Sequence, residues 1–432
     1  MTAAIHNQAV SVRVQSLLRR FTAEWWEDEF PARPLGPTLT PPEQSANEGH
    51  LERFVAALGS ELRHAPRTQS ERESTEERIL KAFAGFARGA LGFEERHLDL
   101  LLTRGFTRAA VQFTQMARRF DPAVSGGDIF QASRNVWTMN GLQVLLGLPV
   151  QLTPAMFAYS MLYPYTDNYL DAPAIPAESK VAFSRRFALR LAGEDVEPAN
   201  AHERRIFDLV ALIERQFDRQ QQPQVFESLL AIHHAQEKSL GLLRRGASPY
   251  EVDVLGISLE KGGSSVLADG YLVAGDLSEP QAQFMFGFGA FLQLVDDLQD
   301  VQDDGRDGLL TVFSQSARRW PLDAITSRTL RFGNSVLDLL PCFDAPDAEP
   351  LKELMRRSAL LLVTLAAGRA ARLHSKSYIH ELESRSPFRF AFLDKQSRKM
   401  ARQRLSLMRL IEAFAVPPDP NAVDWMPVAQ AL

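Results

Sequence analysis

Apolar residues recur at steps of three and four along most of the chain, which is the spacing of one face of an α-helix. Such stripes lie within residues 98–120, 199–222 and 351–373. The first comprises Leu98, Leu101, Leu102, Phe106, Ala109 and Phe113. No run alternates between apolar and polar residues over a useful strand length, and no strand–helix–strand rhythm is present. The pattern therefore predicts an all-α protein.

The 25 prolines divide the chain into segments. Five of them fall in residues 31–42, PARPLGPTLTPP, which indicates an extended arm because a proline ring removes a backbone donor. Long proline-free runs predict long helices, since proline costs about 3 kcal/mol inside one. Short breaks at 244–251 and 273–280 predict turns between helices. We expect three regions: an N-terminal helix and proline-rich arm over 1–50, one α domain over 51–416, and a proline-rich tail over 417–432.

Composition narrows the class of protein. The chain has 432 residues with 48 Lys and Arg against 53 Asp and Glu, and a net charge of −5 gives no sign of a nucleic-acid partner. Its one cysteine, Cys342, cannot form an internal disulfide, which excludes a secreted disulfide scaffold. No uncharged apolar stretch reaches about 18 residues, and the N-terminus lacks the apolar run of a signal peptide. We expect a cytoplasmic protein without a transmembrane segment.

The first candidate for chemistry is the aspartate pair in YPYTDNYLD, which contains Asp167, Asn168 and Asp171. Residues four apart on a helix share a face about 6 Å apart along the axis, so Asp167 and Asp171 would lie together. Such a pair is also typical of a solvated face or of a fraying helix end, and Pro173 follows closely. The aromatic surroundings favour a partner for these carboxylates, because a buried charge needs one.

The second candidate is QLVDDLQDVQDDGRDG, which carries five aspartates within nine residues after a wholly apolar run. They are Asp296, Asp297, Asp300, Asp303 and Asp304. The first, third and fifth would occupy successive turns of one helix face, and like charges at that spacing weaken a helix. Magnesium compensates such repulsion directly, and it is usually held by one or two carboxylates plus substrate phosphates. The sequence therefore predicts a Mg²⁺ site.

Two other metal sites are disfavoured. A calcium loop starting at Asp300 would have Gly305 at its sixth position, but Thr311 replaces the twelfth-position glutamate. The pair His233 and His234 has no second histidine pair to complete a site, so a solvated face is the simpler interpretation.

The second cluster and the sequence before it resemble a known motif. Residues 287–300, GFGAFLQLVDDLQD, are similar to the second aspartate-rich motif of trans-isoprenyl diphosphate synthases. Its aspartate places are filled by Asp296, Asp297 and Asp300. Gln293 fills its glutamine place. Upstream, the segment LEKGGSSVLADG resembles the family's diphosphate-contacting segment, with Lys261 as the contacting lysine.

The first cluster resembles the other motif of the same superfamily. DNYLD is similar to its D-D-x-x-D, with Asn168 in the second place. The spacing of Asp296, Asp300 and Asp304 also matches the second motif of the related terpene cyclases. The resemblance is therefore to the class I isoprenoid synthase superfamily, and it covers roughly residues 150–320. It implies a bundle of long helices around a deep apolar cavity.

The chain departs from the chain-elongating branch of that superfamily in two places. No G-G-K-x-R-P segment is present. The Arg-Arg-Gly that follows the first motif is replaced by Arg185 and Arg186, which lie 14 and 15 residues after Asp171 and precede no glycine. These losses favour an enzyme with one substrate, a cyclase or lyase. Lys261 and Gln293, however, are more similar to the elongating branch.

The resemblance implies a Mg²⁺-dependent terpene synthase that acts on a prenyl diphosphate at two facing aspartate-rich helices. The basic candidates for diphosphate contact are Lys261, Arg185, Arg186 and Arg306, with Gln293 beside them. Candidate aromatic partners for a carbocation are Tyr165, Tyr169, Phe284, Phe288, Phe291 and Trp137, although such stripes are more typical of plain core. Two alternatives stay open: a prenyltransferase, and a non-catalytic helical protein that binds a prenyl lipid or a partner. The oligomeric state is also open, a homodimer included.

Overall fold

The computed structural model describes residues 9–27, 36–172, 174–243, 251–317 and 319–415, apart from the side chains of Asp171 and Arg404. Within these ranges the regular structure is helical, and β-pairing is limited to one bridge between Leu243 and Leu309. The prediction of an all-α protein is confirmed. None of the helices described here combines the length and the apolar character that crossing a membrane requires.

Nineteen α-helices are numbered in chain order over the described residues. The first ten are α1 (Val10–Trp26), α2 (Pro41–Glu61), α3 (Gln69–Leu91), α4 (Glu95–Thr103), α5 (Phe106–Phe120), α6 (Gly126–Leu145), α7 (Pro154–Asp171), α8 (Ala177–Ala192), α9 (Ala201–Gln216) and α10 (Pro223–Ser239). The others are α11 (Val254–Ala274), α12 (Glu279–Gln299), α13 (Val301–Asp307), α14 (Val312–Ser316), α15 (Asp323–Leu337), α16 (Glu349–Arg369), α17 (Lys376–Glu383), α18 (Phe390–Arg402) and α19 (Arg404–Phe414). Short 3₁₀ turns occupy Leu240–Leu242, Leu340–Cys342, Pro346–Ala348 and Ala371–Leu373.

Helices α11 and α12 cross with their backbones in contact, and glycines make this contact possible. A Cβ atom on Gly262 would lie 2.4 Å from the carbonyl oxygen of Gly289 and 2.5 Å from Cβ of Gln293. A Cβ on Gly289 would lie 2.1 Å from the carbonyl oxygen of Gly262. Neither position therefore accepts a side chain without moving a helix. The contact brings Lys261, the residue before Gly262, alongside the turn of α12 that carries Gln293.

The N-terminal helix is part of the main core. Its buried face, Val10, Val14, Leu17, Phe21 and Trp25, belongs to the same apolar cluster as α11 and α12. Helix α2 begins at Pro41 and Pro42, in the first turn where a missing N–H is not needed, with Thr40 as its cap. It runs through residue 50, the boundary expected between arm and domain.

The turn expected at 273–280 is present between α11 and α12, and Gly275 there has a φ of +77°. Residues 244–250 of the other expected turn lie outside the described residues, as do residues 28–35 of the arm and the tail over 417–432.

The stripe expected over 98–120 is not one helix. It breaks at Gly105, whose φ of +109° lies in the left-handed region, so that α4 ends at Thr103 and α5 begins at Phe106. A Cβ on Gly105 would lie 2.7 Å from the carbonyl oxygen of Val150. The apolar spacing continues through the break because both helices face the same core.

Substitution Gly262→Ala tests the backbone contact. We expect it to lower the free energy of unfolding by about 1–3 kcal/mol, because the added methyl group must displace backbone atoms. The matched control is Gly85→Ala in α3, where a Cβ meets nothing within 4 Å and alanine gains up to about 1 kcal/mol in helix propensity. Urea unfolding measures both. Equal stability of the two variants would contradict the close crossing.

Candidate active site

A cavity of about 500 Å³ gathers residues from six helices: α6, α7, α8, α10, α11 and α12. Four residues singled out in the sequence border it together. Asp167 comes from α7, Lys261 from α11, and Gln293 and Asp296 from α12. The two aspartate-bearing helices and the lysine segment therefore meet at one space.

The rest of the lining is part apolar and part polar. The aliphatic part consists of Leu162, Leu170, Leu191, Leu229, Ile232 and Leu292. Polar side chains that no sequence motif indicated also border the cavity, among them Arg134 and Asn135 of α6 and Gln236 of α10. His233 of α10 borders it too and is buried, so the interpretation of the histidine pair as a solvated face is wrong for His233. The cavity thus offers charged groups and an apolar wall to the same ligand.

The aspartates of α12 keep helical spacing across a junction. Asp300 separates α12 from α13, with φ −100° and ψ 9°. The Asp300 amide nevertheless donates to the Asp296 carbonyl, and the Asp304 amide donates to the Asp300 carbonyl, each over 2.9 Å. These two bonds hold the three residues one turn apart, as the sequence spacing predicts.

Burial and neighbouring carboxylates raise the pKa of Asp304 and of Asp296. Burial and the neighbouring carboxylates of Asp297, Asp300 and Asp296 raise the pKa of Asp304 to about 7. The pKa of Asp296 is raised by burial and by Asp300, while Arg134 and Lys261 act in the opposite direction. Asp296 is accessible through the cavity, yet protein atoms replace much of its surrounding water. The cluster therefore holds more negative charge than its surroundings stabilise.

Asp297 faces away from solvent. Its Oδ1 accepts a hydrogen bond of 2.8 Å from Nε2 of Gln293, and its Oδ2 is buried without a hydrogen-bond partner among the described residues. Burial raises its pKa to about 6, although Gln293 and the nearby Ser258 hydroxyl lower it. No hydrogen bond of normal geometry joins Ser258 to this carboxyl. A buried carboxylate oxygen with no donor is a site where a cation would be stabilising.

The three polar residues of the α7 motif, Asp167, Asn168 and Asp171, do not share one environment. Asp167 borders the cavity, where its Oδ2 accepts from Nε2 of Gln236 over 3.4 Å and its Oδ1 from the Thr166 hydroxyl over 3.3 Å. Asn168 is exposed and donates instead to Oδ1 of Asp128 over 3.0 Å. Asp171 is the last residue of α7, and its side chain lies outside what the structure describes.

The chemistry of the donor set on α12 fits Mg²⁺, which prefers carboxylate oxygens. In the described part of the chain, the one group of three His, Cys, Asp or Glu side chains with ligand atoms within 4.8 Å is Glu94, His97 and Glu353, away from the cavity. The α12 carboxylates therefore do not converge on a preformed cage. They suit an ion that takes one or two carboxylates and completes its shell with substrate phosphates and water.

The arginines named from sequence lie elsewhere. Arg185 is exposed on α8, and Arg306 is exposed and pairs with Asp303. Arg186 donates to both carboxylate oxygens of the fully buried Glu203, over 2.9 and 2.6 Å. None of the three borders the cavity. Arg134 does, and no motif in the sequence distinguishes it from other helical arginines.

The aromatic lining also differs from the candidates named above. None of those six rings borders the cavity; Tyr165 donates from its hydroxyl to Asp121, and Phe284 stacks on Phe288 at 5.6 Å. Tyr165, Phe284 and Phe291 are buried in the core, and Tyr169 and Phe288 pack against it partly buried. Trp137 is 39 % exposed. The rings that border the cavity are Tyr159, Tyr163 and Phe187.

Comparison with known proteins does not identify a family. No protein-family model, no curated protein and no solved structure matches the chain. The functional argument therefore depends on the residues of the cavity.

Substitution Arg186→Gln tests the structural role of this arginine. We expect it to lower the free energy of unfolding by about 3 kcal/mol, because the buried Glu203 carboxylate loses its cation. Arg185→Gln, at an exposed position of the same helix, is the control and should change stability by less than about 0.5 kcal/mol. Equal unfolding midpoints in urea for both variants would contradict this role.

Asp304 should make stability depend on pH when divalent cations are removed. The folded state binds the Asp304 proton more tightly than the unfolded state does, so the protonated carboxyl stabilises the fold. This stabilisation is complete below the unfolded carboxyl pKa of about 4 and is lost as pH rises through about 7. Asp304→Asn should remove this part of the decline and be more stable than the wild type above pH 7, by about 1 kcal/mol after solvent screening. Urea unfolding in EDTA at several pH values measures it. A difference between variant and wild type that does not change with pH would contradict the assignment, and the exposed Asp307→Asn serves as the control.

Proposed function

We propose that this chain is a Mg²⁺-dependent class I terpene synthase, which ionises a prenyl diphosphate to give a terpene hydrocarbon or alcohol plus diphosphate. One observation carries the proposal: Asp167 of α7, Lys261 of α11 and Asp296 of α12 border one cavity. The superfamily that the two aspartate motifs resemble uses these positions for the same chemistry. An all-α bundle with a part-apolar cavity is consistent with that resemblance.

The charged part of the cavity suits a diphosphate. Lys261 and Arg134 both act on the carboxyl of Asp296, so two cations stand near the α12 carboxylates. An ammonium and a guanidinium can donate to phosphate oxygens, the guanidinium in bidentate fashion. Asp296 and Asp167, which both border the cavity, would hold the metal together with Asp300, one turn beyond Asp296. When bound, Mg²⁺ would stabilise the negative charge that develops on the departing diphosphate.

The remaining wall suits the hydrocarbon part of such a substrate. Its leucines and isoleucine offer no competing nucleophile. Tyr159, Tyr163 and Phe187 present aromatic rings to the cavity, and a carbocation is stabilised over such a ring. Asp167 and Asp296 lie at the charged part, so ionisation would begin there and the cation would remain beside the apolar wall.

A prenyltransferase is the second candidate, and Arg134 is the observation that favours it. A second anionic substrate needs cations beyond those that hold the first diphosphate. The sequence lacks the family's usual segments for that purpose. In a transferase, Arg134 of α6 would bind the second diphosphate, and Lys261 with the metal would hold the first.

The test separates the two candidates. The purified protein is incubated with Mg²⁺ and geranyl, farnesyl or geranylgeranyl diphosphate, with and without isopentenyl diphosphate, and released diphosphate and organic products are assayed together. Release without isopentenyl diphosphate supports a terpene synthase. Release only in its presence, with a longer diphosphate formed, supports the transferase. No release with any substrate would contradict both.

The double substitution Asp296→Asn and Asp300→Asn should reduce diphosphate release by roughly a hundredfold or more, because both positions lose the charge that holds the metal. Circular dichroism should show unchanged helicity. The matched control is Asp303→Asn, since Asp303 lies in the same acidic run but is exposed and paired with Arg306. Turnover of the double variant at the control's rate would contradict the metal role of these carboxylates.

A further inference from the structure

His233 is a buried histidine on the wall of the cavity that the ionisation chemistry does not use. It lies on α10, three residues before Gln236, whose side chain amide donates to Asp167. Three helical residues correspond to about 4.5 Å along the axis. The imidazole is therefore about one turn from the aspartate end of the cavity, beside Leu229 and Phe187, which border the same space.

The hydrogen bonds of His233 define which ring nitrogen carries the proton. Nε2 lies 3.2 Å from the carbonyl oxygen of Ser184 and 3.2 Å from its hydroxyl oxygen. The hydroxyl hydrogen is donated to Oε1 of Glu237 over 2.6 Å, so this oxygen can only accept from the ring. A carbonyl oxygen also only accepts. Nε2 therefore carries the hydrogen, and Nδ1 carries a lone pair.

Nδ1 makes no hydrogen bond with the described residues. It also differs from the fully buried polar atoms that lack a partner, because it is not among those sealed from solvent. His233 is 7 % exposed and borders the cavity, and with Nε2 held by Ser184, Nδ1 is the ring nitrogen left for a ligand there. The same bonds exclude a nucleophilic serine, since the Ser184 proton goes to Glu237 and not to the imidazole.

The surroundings also suit a base. Burial and the neighbouring His234 lower the pKa of His233, so the ring is neutral at pH 7, while Glu237 acts in the opposite direction. The Glu237 carboxylate lies 3.9 Å from Nε2 and would stabilise the imidazolium once it forms. Ser184 holds the ring in place through two acceptors on α8.

We propose that His233 is the base that ends the reaction, an inference that rests on the proposed terpene synthase function. Nδ1 takes a proton from the carbon next to the cationic centre. The electron pair of that C–H bond becomes the second bond of a C=C, the cation is neutralised, and an olefin results. The imidazolium then returns its proton to the released diphosphate or to water.

The test compares His233→Gln with the wild type on whichever allylic diphosphate the wild type turns over. Glutamine can still donate to Ser184 but cannot take up a proton. We expect the olefin-to-alcohol ratio to fall at least about tenfold, whatever the rate of diphosphate release, because water captures the cation instead. His234→Gln, at the exposed neighbouring position, is the control and should keep the wild-type ratio.

Each result is decisive. An unchanged ratio in His233→Gln, or a wild type that makes only alcohol, overturns the base assignment and leaves the terpene synthase proposal intact. Absence of release from the wild type overturns both. Long-range ¹⁵N–¹H spectra of the wild type provide a measurement that needs no variant. A proton on Nε2 and a bare Nδ1 support the assignment, and a proton on Nδ1 overturns it even if His233→Gln fails to fold.

Discussion

Backbone contact between α11 and α12 positions the charged side chains of the cavity. At the crossing, Gly262 and Gly289 bring the two helices closer than any side chain would permit. Lys261 is adjacent to the first glycine, and Gln293 and Asp296 follow the second by one and two turns. A lysine and a carboxylate from different helices are therefore held at one end of the cavity by packing, and neither depends on a flexible loop.

In the protein alone, the negative charge of the α12 and α13 carboxylates is not fully compensated by neighbouring positive charge. Burial and mutual repulsion raise the pKa of Asp297 to about 6 and that of Asp304 to about 7. A protein that needed these side chains only for stability would do better with neutral residues of the same size. A divalent cation together with a phosphate would reverse the balance, since the carboxylates would hold the ion while Lys261 and Arg134 faced the anion. This cost in the free protein is consistent with a binding site.

The spacing of residues along the chain was enough to predict part of this structure. Helical periodicity indicated the all-α architecture, and i, i+4 spacing correctly placed Asp296, Asp300 and Asp304 on successive turns. Spacing could not show that Gly105 interrupts a stripe, because the apolar pattern continues across the break. Tertiary contacts determined the rest. The buried Glu203, 17 residues away, engages Arg186, and Arg134 joins the cavity only because α6 packs beside α7 and α11.

The central claim is that the cavity binds a prenyl diphosphate through Mg²⁺, and calorimetric titration tests it most directly. The ligand is farnesyl thiodiphosphate, whose C–S bond resists ionisation, so binding is measured without turnover. The account predicts heat of binding in Mg²⁺ that disappears in EDTA. Equal binding with and without Mg²⁺, or no binding in either, would contradict it.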